Sequence, residues 1–417
     1  MADSAEGSPR DKSRFRSAVI GVGIAQLYAW GVIYYPFSVT GKMIADDLGL
    51  SIEAAFAGYS SMLLVGAVFA PWVGRAIDRR GGRLTLSLGV LWAAGALVVA
   101  AMAKGPAGFY LSCALLGIGS ALVLYDAGFA ALVQVAGRQG RRAITYVTFL
   151  GGFASTVFWP ITAFLAERLG WRTTYLVFAV GMILLCLPIY LATLGRAPEL
   201  RATSGGGNAD GHPDDETPLE GPARRSAFIG FATAIAAHQL VIAGLLIHMI
   251  DAVRQAGLTG EQAILVGMAF GPGQVLARFA EMIWGARFPA VVGGRISVIL
   301  LPPALLFLLS GSMNLFLALC FSAALGMSNG LMTIARGTVA LALFGRHGYG
   351  AISGDLALAS LFSRAAGPLV LAYGLERWGL SLSALACIAC ALVGVVAMEF
   401  VARIAAAQRQ ERRTRIA

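Results

Sequence analysis

Two arginines stand inside long apolar runs of this chain: Arg278 in GQVLARFAEMIW and Arg364 in LASLFSRAAGP. An arginine in the middle of a membrane-type segment costs from about 2.5 to over 10 kcal/mol, so each must face a wet cavity or a partner. A guanidinium is a planar fork that binds a carboxylate through two parallel hydrogen bonds. The two together suit a small organic anion. Glu281 follows Arg278 by one helical turn on the same face and competes for it as a local ion pair, or tunes it. Asp355 is too far along its own segment to do the same for Arg364.

Other polar groups in apolar surroundings suggest proton chemistry or gating. Asp126 in LYDAGF fits a proton carrier or, as we expect, a charge lock with Arg79 or Arg83. His238 and His248 share one direction but stand about 15 Å apart along a helix, too far to share one ion. With Glu281 they are the candidates for coupling to a proton. Tyr28, Trp30, Tyr34, Tyr35 and Trp159, with Gln26 and Gln274, offer hydroxyl, indole and amide groups to a cargo path or to helix packing. No nucleophile, histidine and acid set, metal site or nucleotide-binding loop is present, so neither an enzyme nor a bound cofactor is expected.

The elements that position these groups follow from composition. Of 417 residues 58% are hydrophobic and 13% charged, and the mean hydropathy is +0.74, which excludes an ordinary soluble globule. A bilayer core needs about 20 apolar residues per helix. Such runs recur at 17–41, 53–74, 84–103, 107–132, 143–166, 173–194, 227–251, 262–285, 295–311, 314–335, 351–374 and 380–402. They are continuous and rich in Ala, Leu and Gly, unlike the short alternating segments of a β-barrel. The polar start shows no cleavage signal, so both termini are expected in the cytoplasm of a multi-pass inner-membrane protein.

Charge placement supports that threading, because most of the 32 Lys and Arg fall in segments it leaves inside. The net charge of +10 needs no nucleic acid; it reflects arginines flanking helices and a basic tail that can touch anionic lipid. Residues 196–226, rich in Gly, Pro and acids, read as a linker. The expected organisation is a tail at 1–16, a six-helix bundle at 17–195, the linker, a second six-helix bundle at 227–402 and a basic tail at 403–417. All five cysteines fall inside spans, where they serve as small apolar groups. Clusters such as ALGMSNG put small residues at helix-packing spacing. Prolines 71, 160, 188, 272, 302, 303 and 368 predict kinks.

Between the second and third spans stands VGRAIDRRGGR, which resembles the loop signature of the major facilitator superfamily in Gly74, Asp78, Arg79, Gly82 and Arg83. The resemblance covers the whole chain and implies a transporter of two six-helix bundles working by alternating access, with this loop as gate. QLYAWGVIYYPFSV in the first span resembles the oxalate/formate exchanger group, relatives of monocarboxylate transporters. In that group cations on the eighth and eleventh helices bind the cargo carboxylates, which implies Arg278 and Arg364 here. Tyr28, Trp30, Tyr34 and Gln274 complete the expected binding set. The second-half copy of the loop signature, WGARFPAVVGGR, has lost its acid.

The expected function is therefore secondary active or facilitative transport of a small organic anion by a monomer, with a proton as the candidate coupling ion. Import of a vitamin or another aromatic or neutral metabolite is the main alternative. Copper import is disfavoured, since Met249, Met268 and Met282 lack the i, i+4 spacing that a soft ion needs. Drug efflux is disfavoured because LLGIGSALVLYDAGFA and LGGFASTVFWP lack the motifs such antiporters carry in these spans. A non-transporting sensor is the remaining class, and the fifteen residues after 402 leave little room for a signalling domain.

Overall fold

The computed structural model describes residues 9–195, 218–309 and 314–416, and every regular element among them is helical. In order these are α1 (Pro9–Ile33), α2 (Pro36–Leu48), α3 (Ile52–Arg80), α4 (Gly82–Ala101), α5 (Pro106–Val123), α6 (Tyr125–Ala136), α7 (Gly140–Gly151), α8 (Ala154–Gly181), α9 (Leu187–Thr193), α10 (Gly221–Gln255), α11 (Gly260–Trp284), α12 (Ala290–Ile299), α13 (Leu301–Leu306), α14 (Leu315–Phe344) and α15 (Tyr349–Ile416). Helices are what a bilayer demands, since each satisfies its own backbone N–H and C=O groups. Large side chains such as Trp72, Leu184, Met268, Phe316 and Leu369 stay exposed, as lipid-facing residues do.

Two continuous helical stretches, Pro106–Thr193 and Tyr349–Gln410, are far longer than a bilayer requires. Each is divided by a glycine with a positive φ, Gly170 (77°) and Gly379 (73°), a conformation that side chains with a Cβ resist. These turns fall where the predicted spans at 143–166 and 351–374 end. Proline breaks follow the sequence in part. Pro188 lies in the first turn of α9, just after a π-helical turn at Met182–Cys186, while Pro302 and Pro303 open α13 and split one span. Pro36 divides another span, because it has no N–H to give Val32 and the chain turns at Tyr34 and Tyr35.

Several boundaries differ from expectation. α1 begins at Pro9, inside the expected tail; α10 begins at Gly221, inside the expected linker; and the basic tail continues α15 to Ile416. Linker residues 196–217 lie outside the described residues, as do side chains from 411 onward. Helix propagation explains all three shifts, since a formed helix adds residues at little cost until a breaker intervenes.

The chain packs as two compact units, Met1–His212 with Arg346–Gly354, and Pro213–Gly345 with Asp355–Ala417. In the first, Gly66 and Gly117 let α3 and α5 cross backbone to backbone. In the second, α11 and α14 do the same: a Cβ on Gly326 would meet the Phe270 carbonyl, and one on Gly330 would meet the Gln274 backbone. Small residues at such crossings allow the close van der Waals packing on which membrane helices depend.

Candidate functional site

In the first unit the loop after α3 is fixed from two sides. The Asp78 carboxylate accepts the Gly350 N–H at 2.9 Å through Oδ1 and the Ala351 N–H at 2.8 Å through Oδ2. These donors lie in the first turn of α15, where helix N–H groups have no internal partner and the helix dipole favours an anion. Backbones touch closely here, since a Cβ on Gly74 would fall on the Gly350 carbonyl and one on Gly354 on the Ala70 carbonyl. Gln134 of α6 holds the loop's other flank, accepting the Gly82 N–H at 2.9 Å and donating to the Ile77 carbonyl at 2.9 Å.

Asp126 opens α6 just after the break at Leu124, eight residues before Gln134 and ~12 Å along the helix. Gln134 of α6 meets the loop directly; spacing gave no cue for it, because a glutamine carries no charge to notice. Arg79 is exposed and Arg83 half-buried at the loop itself.

Aromatic residues just after α1 and at the start of α6 gather around Trp30. Its ring centroid lies 5.0 Å from Tyr34 and 5.0 Å from Tyr125, and 6.4 Å from Tyr35. Trp30 Nε1 is buried with no hydrogen-bond partner. Tyr34 also contacts Tyr59 at 5.6 Å. Tyr28 faces elsewhere: its hydroxyl donates to the Phe178 carbonyl at 3.2 Å and its ring packs edge-on against Phe158. The structure thus joins Trp30 and Tyr34 but puts Tyr28 in the α1–α8 contact. Gln26, fully buried, donates to the Val123 carbonyl at 2.7 Å beside the helix break.

In the second unit Arg278 is 6% exposed and donates through Nη2 to Gln274 Oε1 at 3.3 Å. Asn329 of α14 donates to the same oxygen at 3.1 Å. Arg278 Nε is buried without an acceptor. Glu281 is directed the other way, its carboxylate lying against Gly285 and Gly293. Arg364 is half-buried on α15, one turn before Gly367, whose carbonyl packs on Gly244 of α10. His248 Nε2 donates to the Pro368 carbonyl at 3.0 Å in the same region.

His238 is 1% exposed, and its Nε2 lies 2.9 Å from Ser328 Oγ. Ser328 donates onward to the Ser297 carbonyl at 2.6 Å. The serine must therefore accept from the imidazole, which places the proton on Nε2. Met249 is buried while Met268 is on the exposed face, so the two thioethers do not converge.

One buried cation escaped the sequence. Arg336 reads as a loop residue after a span ending at 335, yet α14 runs on to Phe344 and leaves Arg336 8% exposed, donating to Ser360 Oγ at 2.8 Å. The apolar GTVALALF that follows it was the available signal.

A family profile described as Major Facilitator Superfamily matches residues 19–368. The chain belongs to the Major Facilitator Superfamily. No curated sequence matches it. Among solved structures it resembles the human organic anion transporter MFSD10 (TETRAN), at 16% identity and TM-score 0.67, covering 94% of this chain and 100% of that one. It also resembles the proton:xylose symporter XylE bound to 6-bromo-6-deoxy-D-glucose, at 15% identity and TM-score 0.68, with 94% and 96% covered. FucP in the outward conformation is similar at 15% identity and TM-score 0.70, with 93% and 99% covered. At such identities the likeness carries the fold. As a member of this superfamily the protein is a multi-pass membrane transporter of a small molecule and not an enzyme.

Proposed function

We propose that this Major Facilitator Superfamily chain carries a small organic anion with one or two carboxylates by alternating access across a cell inner membrane, with both termini cytoplasmic. The observation that carries this reading is Arg278, a buried guanidinium whose Nη2 rests on a neutral amide and whose Nε lacks an acceptor. A buried charged donor left without a partner is costly, and a carboxylate supplies the missing acceptor together with the missing charge. Arg364, on another helix of the same unit, is the second cation of the proposed site. The first-helix resemblance to oxalate/formate exchangers favours the same class. The fold alone does not choose a cargo, since one neighbour is an organic anion transporter and another a xylose symporter.

In the proposed cycle the Asp78 clamp on Gly350 and Ala351 forms and releases as access alternates, and a proton is the coupling ion. Glu281 suits that role better than His238, because it is half-buried whereas His238 is sealed from solvent.

Purified protein in liposomes, offered labelled acetate, pyruvate, oxalate, succinate and xylose, tests the reading. Saturable uptake of at least one carboxylate, lost in Arg278→Gln, is expected. Carboxylate uptake undiminished in that variant overturns it. Uptake confined to neutral or aromatic compounds selects the second reading, which the Trp30, Tyr34 and Tyr125 cluster with its buried, unpartnered indole N–H supports.

A further inference from the structure

Gln274 and Asn329 do something more specific than line a path. An arginine only donates, so its contact with Gln274 fixes the amide with Oε1 toward the guanidinium. Asn329 then reaches that oxygen through Nδ2, which fixes the second amide as well. One carbonyl oxygen therefore receives two donors from two helices. The backbone crossing brings the two amides within reach of each other. A Cβ at Gly273 would meet the Ala323 carbonyl and one at Gly330 the Gln274 backbone, so the helices are in contact where Gln274 and Asn329 meet.

We infer that Gln274 and Asn329 are a positioning pair that aims the Arg278 guanidinium without cancelling its charge, and so make this position selective for anions. The inference rests on the anion reading of Arg278. A neutral acceptor can orient a cation and leave its field intact, whereas a carboxylate in the same place would neutralise it. The direction of Glu281, whose carboxylate lies against Gly285 and Gly293, has the same effect: the nearest acid on the helix is turned from the arginine it would silence. Gln274 is then a residue that acts through Arg278, and Asn329 acts through Gln274.

Two measurements on the full chain test this, one without any cargo. In detergent micelles the side-chain nitrogens of ¹⁵N-arginine are recorded, and the Arg278 signals are assigned by their loss in Arg278→Lys. A guanidinium held by a fixed acceptor rotates slowly about its Nε–Cζ bond and shows resolved Nη signals. Asn329→Leu is expected to merge them while Arg336 and Arg364 signals stay in place, which also shows the fold intact. In liposomes with labelled oxalate and pyruvate, Asn329→Leu should raise KM about fivefold, the scale of one hydrogen bond between neutral groups, with kcat kept within about twofold. Gln274→Glu should keep the resolved signals but abolish uptake.

Unchanged Arg278 signals and unchanged KM in Asn329→Leu overturn the positioning role, as does wild-type carboxylate uptake in Gln274→Glu. If the signals merge as expected but the wild-type protein takes up neither carboxylate, the positioning pair stands and the anion reading falls. If uptake needs Arg278 but ignores Asn329, the anion reading stands and the pair falls.

Discussion

Asp78 and Gly350 hold each other by side chain and backbone, although 272 positions separate them in the chain. The carboxylate takes the Gly350 N–H, and Gly350 can lie there only because it and Gly74 both lack a Cβ. A charged cap and a steric permission act on the same turn. They stabilise it jointly, and either can be removed alone.

Asp78→Ala is expected to lower the stability of the protein by about 1–2 kcal/mol, the scale of a lost helix cap carrying charge. Asp78→Asn should lose less, because its amide oxygen still accepts one N–H. Gly350→Leu should cost more than either, through collision with the Gly74 carbonyl. Thermal unfolding in detergent ranks the three.

Arg278→Gln and Arg364→Gln should each abolish carboxylate uptake in liposomes. Arg278→Lys should restore little of it, because a lysine is a point charge without the planar fork. Measured KM and kcat for oxalate and pyruvate check this, and wild-type uptake by the lysine variant would remove the fork from the account.

At the α11–α14 crossing, Gly326→Ala should destabilise the protein by a few kcal/mol, since its new methyl meets the Phe270 carbonyl. Gly95→Ala is the matched control: a Cβ there meets nothing within 4 Å, and alanine is the better helix former by about 1 kcal/mol. Opposite shifts in Tm are expected.

If the proposed proton coupling runs through Glu281, Glu281→Gln should leave uptake indifferent to an imposed pH gradient, while the wild-type protein gains uptake when the cargo side is made more acidic. His238→Asn should keep its coupling, because the asparagine amide can still donate to Ser328. Uptake measured across a range of imposed gradients separates the two.

The fold was largely legible before any coordinates. Long apolar runs, arginines flanking them and VGRAIDRRGGR together pointed to the helical transporter that the family match established. What hydropathy could not supply was detail carried by neutral residues. Gln134 and Asn329 bear no charge, so neither stood out, yet one secures the loop and the other contacts Gln274. Arg336 was missed for the opposite reason: charge marks the edge of a span in any hydropathy window, and the helix simply continues past it. Tyr28 shows a third limit. Its sequence neighbours Trp30 and Tyr34 lie in the aromatic cluster, but a shift of two residues turns a helical side chain by roughly 200° and sends it into packing.

The stretch just ahead of α10 also has a use beyond ending the linker. Leu219 is 2% exposed and donates its N–H to the Leu343 carbonyl at 2.8 Å, and Arg224 caps the Phe344 carbonyl at 3.1 Å while its charge stands over the Phe344 ring. The carboxyl end of α14 is thus closed by residues more than a hundred positions earlier. A protease site inserted before Pro218 should yield two fragments that remain associated and folded, whereas a second fragment starting at Ser226, shorn of that lid, should fray from the end of α14. The closed end of α14 thus depends on a few residues that the chain lays down as α10 begins.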